Sequence, residues 1–286
     1  MPFKLGLTLA ALALLAGCSR GPAPKEYEVV GQILAIRPDT SEVVIKHGDI
    51  KNFMPGMTMP FKVKDTAVLD GKQAGDLVTA TLVVGETDAH ISAITKTGTA
   101  PLEAPVEVTV TEGAVLQPGD QVPDQLLVDQ DGKTQPLSSL RGHRVALTFI
   151  YLACPLPEFC PLMDRHFAAV QKTIKATPAL ADVRLVSVSF DPANDTPAAL
   201  KAHAQALGAD PLVWSFMTAT DAEITTLTRR FGVLVEREGQ SAADITHNLR
   251  TAVIDATGRV VTVHSGTDWT PAQLVADLAA APAPAH

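Results

Sequence analysis

Hydrophobic and polar positions change period twice along this chain, and the changes divide it. After Lys4 comes an apolar run, Leu5–Ala16, too short to cross a bilayer as a stable helix, and residues 1–17 are expected to be an export signal. From Glu26 to Thr97 the period is two. Tyr27–Ile36 alternates, Glu42–His47 is β-branched, Met57–Val63 alternates again, and Asp76–Val84 and Asp88–Lys96 complete the set, with a turn at 37–41. Five short strands joined by turns predict a small closed all-β barrel over residues 26–97. Gly98–Val108, GTAPLEAPVEV, breaks the pattern with two prolines, and 98–114 is expected to be a linker.

Beyond it the period mixes. Pro118-Gly-Asp and Asp131-Gly signal turns, the second inside a hairpin. Strand-like runs at Val145–Tyr151, Val183–Phe190, Leu212–Met217, Arg250–Asp255 and Val260–His264 alternate with helical patterns. Thr196-Pro197 and Thr270-Pro271 each supply an N-cap and a first-turn proline, and Thr220 with Glu223 forms a capping box. One further helix is expected over Asp164–Lys175. This alternation predicts an α/β domain over 115–281, a central sheet with helices on both faces, and 282–286 is expected to be a disordered tail.

Charge narrows the functions. The net charge is −8 and no Lys/Arg block or stripe occurs, so nucleic acid is not an expected partner. Cysteine use narrows them further, since there are only Cys18, Cys154 and Cys160. Leu-Leu-Ala-Gly-Cys-Ser, ending the apolar run, resembles a lipobox, in which Cys18 becomes the lipidated first residue and anchors the protein to a membrane through the tether 18–25. Ser19 does not supply the usual inner-membrane retention signal, so which membrane holds the anchor stays open. Cys154 and Cys160 are then an even pair, which forms a disulfide in an oxidising compartment unless a metal or a reductant intervenes.

That pair lies in Phe149–Met163, FIYLACPLPEFCPLM, where a strand ends and a helix begins. This is the thioredoxin-like arrangement, and a helix N-terminus favours thiolate over thiol. Five residues separate the cysteines, and Pro155, Pro157 and Pro161 stiffen the loop. Three readings are open: a structural staple, disulfide exchange, and ligation of a soft metal such as Cu(I). The segments CPLPEFCP, Phe190–Pro197 (FDPANDTP) and Thr246–Val260 together resemble the Sco/SenC copper chaperones over roughly Val115–Ala280. The resemblance implies a thioredoxin-like fold and a single copper ion, Cu(I) or Cu(II), held by Cys154, Cys160 and His247. It also implies delivery to the dinuclear copper site of cytochrome c oxidase, and a thiol reductant as partner. The usual family motif has three residues between its cysteines, so this loop is longer. Two other functions stay open, a thiol:disulfide reductase acting on a client's copper-site cysteines and a copper buffer.

The barrel has its own cluster: His47, Met54, Met57 and Met59. Met57 and Met59 share a strand face, and thioether sulfur selects soft ions, although both could simply fill a small core. The segment resembles the CusF-like periplasmic copper-binding domain, an OB-type barrel, which implies a second metal site at His47, Met57 and Met59. That family usually caps the metal with a tryptophan. The barrel here has none, so Met54 is a candidate further ligand and Phe53 a candidate lid. Asp191 and Asp195 are expected to serve turn and cap chemistry, His166 to lie on a solvated helix face, and His90 and His264 at the surface.

Overall fold

The computed structural model describes residues 23–54, 56–102, 115–237 and 245–284. The signal, Cys18, most of the linker, the loop 238–244 and the last two residues therefore lie outside the described residues.

The N-terminal strands are β1 (Lys25–Arg37), β2 (Glu42–His47), β3 (Met57–Lys62), β4 (Asp76–Val84) and β5 (Ala89–Thr99), in the order β3-β2-β1-β4-β5. Every pair in that order is antiparallel. A parallel bridge from Val63 to Ile91 closes the sheet between the ends of β3 and β5, which gives the OB-type connection. Bulges at Ile33/Ala35 and within the β4–β5 ladder supply the curvature that closure needs. Val29, Ile33, Val43, Ile45, Phe61, Val78, Leu82 and Ile91 fill the interior. Gly31 faces His47 across the β1–β2 pair. A Cβ there would lie 2.3 Å from the Lys46 carbonyl oxygen, so only glycine allows the two backbones this approach. Gly98 and Thr99, expected in the linker, extend β5 instead.

The second unit runs β6 (Leu126–Asp129), β7 (Thr134–Pro136), β8 (Arg144–Ile150), α1 (Cys160–Ala176), β9 (Val183–Ser189), α2 (Pro197–Ala206), β10 (Trp214–Thr218), α3 (Asp221–Arg230), β11 (Val235–Arg237), β12 (Ile245–His247), β13 (Arg250–Ile254), β14 (Val260–Ser265) and α4 (Pro271–Ala280). Its seven-stranded sheet has the order β14-β13-β8-β9-β10-β6-β7. The β8-β9-β10 core is parallel and the flanking strands pair antiparallel. All seven residues of β8 are buried, as a strand covered on both faces requires. Thr148 points to one face, where Thr251 bonds it and reaches Met163 of α1. Phe149 points to the other and meets Phe231 at the end of α3. Helices thus cover both faces, as expected. The capping boxes at Thr220/Glu223 and Thr270/Gln273 and the cap at Thr196 all form. α1 starts four residues earlier than its pattern suggests, because Pro161 sits in the first turn, where no backbone donor is needed. The two-stranded β11–β12 hairpin was not expected, since three residues per strand carry no readable period.

Candidate metal centre

Three elements deliver the cysteine site. β8 ends under the loop that carries Cys154, Cys160 opens α1, and His247 ends β12. The two sulfurs and the nearest nitrogen of His247 lie within 4.8 Å of one another. One ion with metal–ligand bonds of about 2.0–2.3 Å can therefore touch all three. The sulfurs are not bonded to each other; the pair is in the dithiol form.

The local electrostatics divide the pair. Cys154 is half-buried, and its pKa is held well below the ordinary thiol range, first by a hydrogen bond from the Cys160 thiol and then by His247. Cys160, 2 % exposed, is pushed well above it by burial and by its neighbour's charge. The two shifts run in opposite directions, Cys154 toward thiolate and Cys160 toward thiol. His247 Nδ1 lies 2.9 Å from the Asn248 carbonyl oxygen. A carbonyl only accepts, so Nδ1 carries a hydrogen, and Nε2 is directed toward Cys160 Sγ at 3.6 Å. The rings of Tyr151, Phe190 and Phe159 surround that imidazole at 5.5, 4.6 and 6.4 Å. They pack around its plane, while the ring stays partly exposed to the neighbouring cleft. Two soft sulfurs and an imidazole suit copper in either oxidation state.

The barrel cluster is partly assembled. His47 stands opposite Met57 and Ile45 opposite Met59, so these four share a face. A tight turn in which Ile50 and Met54 exchange backbone hydrogen bonds brings Met54 to the same end. All four candidate side chains are buried. His47 Nδ1 lies 2.7 Å from the Gly48 carbonyl oxygen, which assigns the hydrogen as at His247. Phe53 stacks on Tyr27 at 4.3 Å, and Leu156 of the cysteine loop is buried in the barrel core.

The structure also brings the two clusters together. Met54, Met57 and Met59 line one cavity with Tyr151, Cys154, Pro155, Leu156, Phe159, Ile245 and His247. Its volume is about 20 Å³. His47 and Cys160 do not line it. A wider cleft of about 560 Å³ opens beside it, bounded by Met59, Lys62, Phe159, His247 and Asp268 among others.

Several expectations need correction. Asp195 is not a cap: Thr196 caps α2 with its own hydroxyl. The Asp195 carboxylate is 2 % exposed, receives the Ser189 hydroxyl at 2.6 Å and the Leu152 backbone N–H at 3.0 Å, and so ties down the loop that carries Cys154. Burial raises its pKa. Asp191 keeps its turn role, receiving Asn194. His166 is not on a solvated face but packs edge-on against Trp269. His264 bonds Asp277 and also lies against Trp269. His90 is largely covered and pairs with Asp88. Tyr151, Phe159 and Phe190 were missed as neighbours of the site, although all three stand inside the motifs that mark it.

Comparison with known proteins agrees with this organisation. Residues 116–282 match the SCO1/SenC family model, and residues 26–96 match the model of the copper binding periplasmic protein CusF. A SCO1 protein homolog of Bacillus subtilis (strain 168) is 30 % identical over 144 residues, 50 % of this chain and 72 % of that protein. A SCO2-like protein of Rickettsia prowazekii (strain Madrid E) is 28 % identical over 137 residues, 46 % of this chain and 63 % of its own length. The crystal structure of a SCO1/SenC family lipoprotein from Bacillus anthracis str. Ames superposes with a TM-score of 0.50 at 28 % identity, covering 58 % of this chain and 97 % of that one.

Proposed function

Because the chain belongs to the SCO1/SenC family and carries a CusF-like domain at its N-terminal side, we propose that it is a copper metallochaperone of the periplasm, anchored to a membrane through lipidated Cys18. The cargo is copper, held by Cys154, Cys160 and His247 and captured first at the methionines of the barrel. The client, as the family resemblance implies, is the dinuclear copper site of cytochrome c oxidase. The observation that carries this reading is the donor set itself, with two sulfurs and one imidazole nitrogen within 4.8 Å.

The thiolate site needs a reductant, since disulfide formation between Cys154 and Cys160 removes both sulfur ligands. The methionine site does not, which suits it to capture in an oxidising compartment. Once reduced, two thiolates hold Cu(I) more tightly than thioethers, so copper runs from barrel to cysteine pair.

A second reading, thiol:disulfide exchange on a client, is favoured by the asymmetry of the pair. Cys154 is the more exposed and the more acidic, as an attacking thiolate is, and Cys160 is buried beside it, as a resolving thiol is. Anaerobic Cu(I) titration of the reduced full chain, beside an insulin disulfide-reduction assay, separates the two. Tight binding with negligible reductase turnover is expected; turnover without tight Cu(I) binding sinks the chaperone reading.

A further inference from the structure

The cavity between the two units has a lining that neither copper site explains. It collects three thioethers from the barrel and one cysteine sulfur from the other unit, while His47 and Cys160, which belong to the two separate sites, stay outside its wall. Cys154 is the hinge of this arrangement: its side chain packs against both hydrophobic cores, whereas Cys160 packs only within its own. Leu156, two residues on, is 6 % exposed and sits inside the barrel's core. The cysteine loop is therefore anchored at both ends. Asp195 holds Leu152 from the sheet side and the barrel grips Leu156 from the other. Polar contacts reinforce the seat, with Lys62 Nζ 3.2 Å from Asp268 and Arg165 donating to the Thr87 carbonyl at 3.4 Å.

Volume decides what this cavity can hold. About 20 Å³ accommodates a single water-sized body. A bare copper ion fits; a copper ion with its hydration shell does not. Copper that moves between the two sites by this route must do so by exchange of protein ligands.

Resting on the copper reading above, we propose that the two units share a third Cu(I) position, a mixed thioether–thiolate site made by Met57, Met59 and Cys154, through which the ion passes without entering solvent. The steps balance as ligand exchanges. The Cys154 thiolate forms a Cu–S bond while the bond from copper to His47 breaks, which leaves Met57, Met59 and Cys154 on the ion. Cys160 then gives its thiol proton to solvent and forms the second Cu–thiolate bond as Met57 and Met59 leave. His247 Nε2 completes the site. Copper stays Cu(I) throughout and no electron moves. Soft thioether and soft thiolate are compatible on one Cu(I) ion.

The test uses the full chain carrying Cys160→Ser, which removes the final thiolate and stops the ion at the shared position. Two measurements are made with one equivalent of Cu(I) under anaerobic conditions. The first is X-ray absorption at the copper edge on protein that also carries Cys18→Ser and whose methionines are selenomethionine, so that any sulfur at copper comes from Cys154. Selenium and sulfur are both expected around the ion. The second is a double-mutant cycle in Cu(I) affinity between Cys154→Ser and Met57→Leu/Met59→Leu, swaps that preserve volume and so preserve the fold. At a shared site each change alone weakens binding, and the combined variant falls short of the multiplied losses by about tenfold, within the coupling range of contacting groups. For separate sites the sign reverses, because losing one leaves the other to take the ion. A copper spectrum with selenium alone or sulfur alone overturns the shared site, as does a combined loss equal to or larger than the product of the two. If the unmutated chain binds no Cu(I) at all, the copper reading itself has failed, which is a different result from a chain that binds Cu(I) at independent sites.

Discussion

The two sulfur clusters of this protein reach a similar end by opposite routes. In the barrel, His47, Met54, Met57 and Met59 come from one hairpin and its turn, and the strand register that puts His47 beside Met57 also pairs Ile45 with Met59. In the second unit, Cys160 and His247 are 87 residues apart in the chain and meet only because β8, α1 and β12 converge. Both histidines are prepared alike, each with Nδ1 directed at the carbonyl oxygen of the next residue, at 2.7 Å and 2.9 Å. The sulfurs differ. Thioethers bind without losing a proton and cannot be oxidised to a disulfide, whereas the cysteines need both deprotonation and a reductant. One cluster is always ready and the other is conditional, which is a sensible order for capture followed by tight holding.

Removing a cysteine tests this contrast hardest. Cys154→Ser or Cys160→Ser should cost the second unit more than the roughly 100-fold that loss of an outer-shell partner costs a metal site. Competition with a strong Cu(I) chelator measures it, and a single variant that competes as well as the parent would falsify the assignment of two thiolate ligands. Met57→Leu, by contrast, should leave that site's final affinity close to unchanged and slow its loading.

The oxidation states come next. His247→Ala should weaken Cu(II) more than Cu(I), because two sulfurs already satisfy Cu(I) while Cu(II) requires nitrogen and higher coordination. Parallel titrations in the two states decide it, and equal losses count against a ligand role for His247.

Proton release sharpens the comparison further. Burial and its neighbour's charge raise the Cys160 pKa and favour its thiol, whereas the Cys160 hydrogen bond lowers that of Cys154 and favours its thiolate. Cu(I) binding to the pair should therefore release about one proton and tighten as pH rises, up to the Cys160 pKa. Calorimetry in buffers of different ionisation enthalpy reads the proton count. The methionine cluster, with no thiol to deprotonate, should show no such thiol-linked rise.

The smallest effect is expected at Asp195. Asp195→Ala frees the Leu152 N–H and the Ser189 hydroxyl, with a loss of about 1–3 kcal/mol in stability for buried groups left unpaired. Copper affinity should fall by about tenfold, the lower end for an outer-shell change, because the cysteine loop loses one of its two anchors. Denaturant melts and chelator competition on the same variant would show a role limited to folding if only the first responds.

Much of this was legible in the residues. Alternation marked Tyr27–Ile36 and Met57–Val63 and β-branched composition marked Glu42–His47, and Val145–Tyr151 read as a strand because its run is apolar throughout. Thr196, Thr220 and Thr270 announced their helices because a capping hydroxyl acts within three residues of itself. Cys154 and Cys160 stood out as the only two cysteines beyond the extreme N-terminus, placed where a strand gives way to a helix. His247 did not: a histidine ending a three-residue strand has no local sign of its purpose, and only a family resemblance singled it out. Asp195 looked like turn chemistry because its partner Leu152 lies 43 residues away. His166 looked solvated because Trp269, which covers it, belongs to a segment more than a hundred residues later. The shared cavity is the extreme case. Its lining comes from three separate stretches, 54–59, 151–159 and 245–247, and a cavity is a property of surfaces packed against one another. Sequence period reports which face of an element is buried, because that depends on neighbours a few residues away. What that face is buried against depends on contacts distant along the chain, and only the tertiary structure decides it.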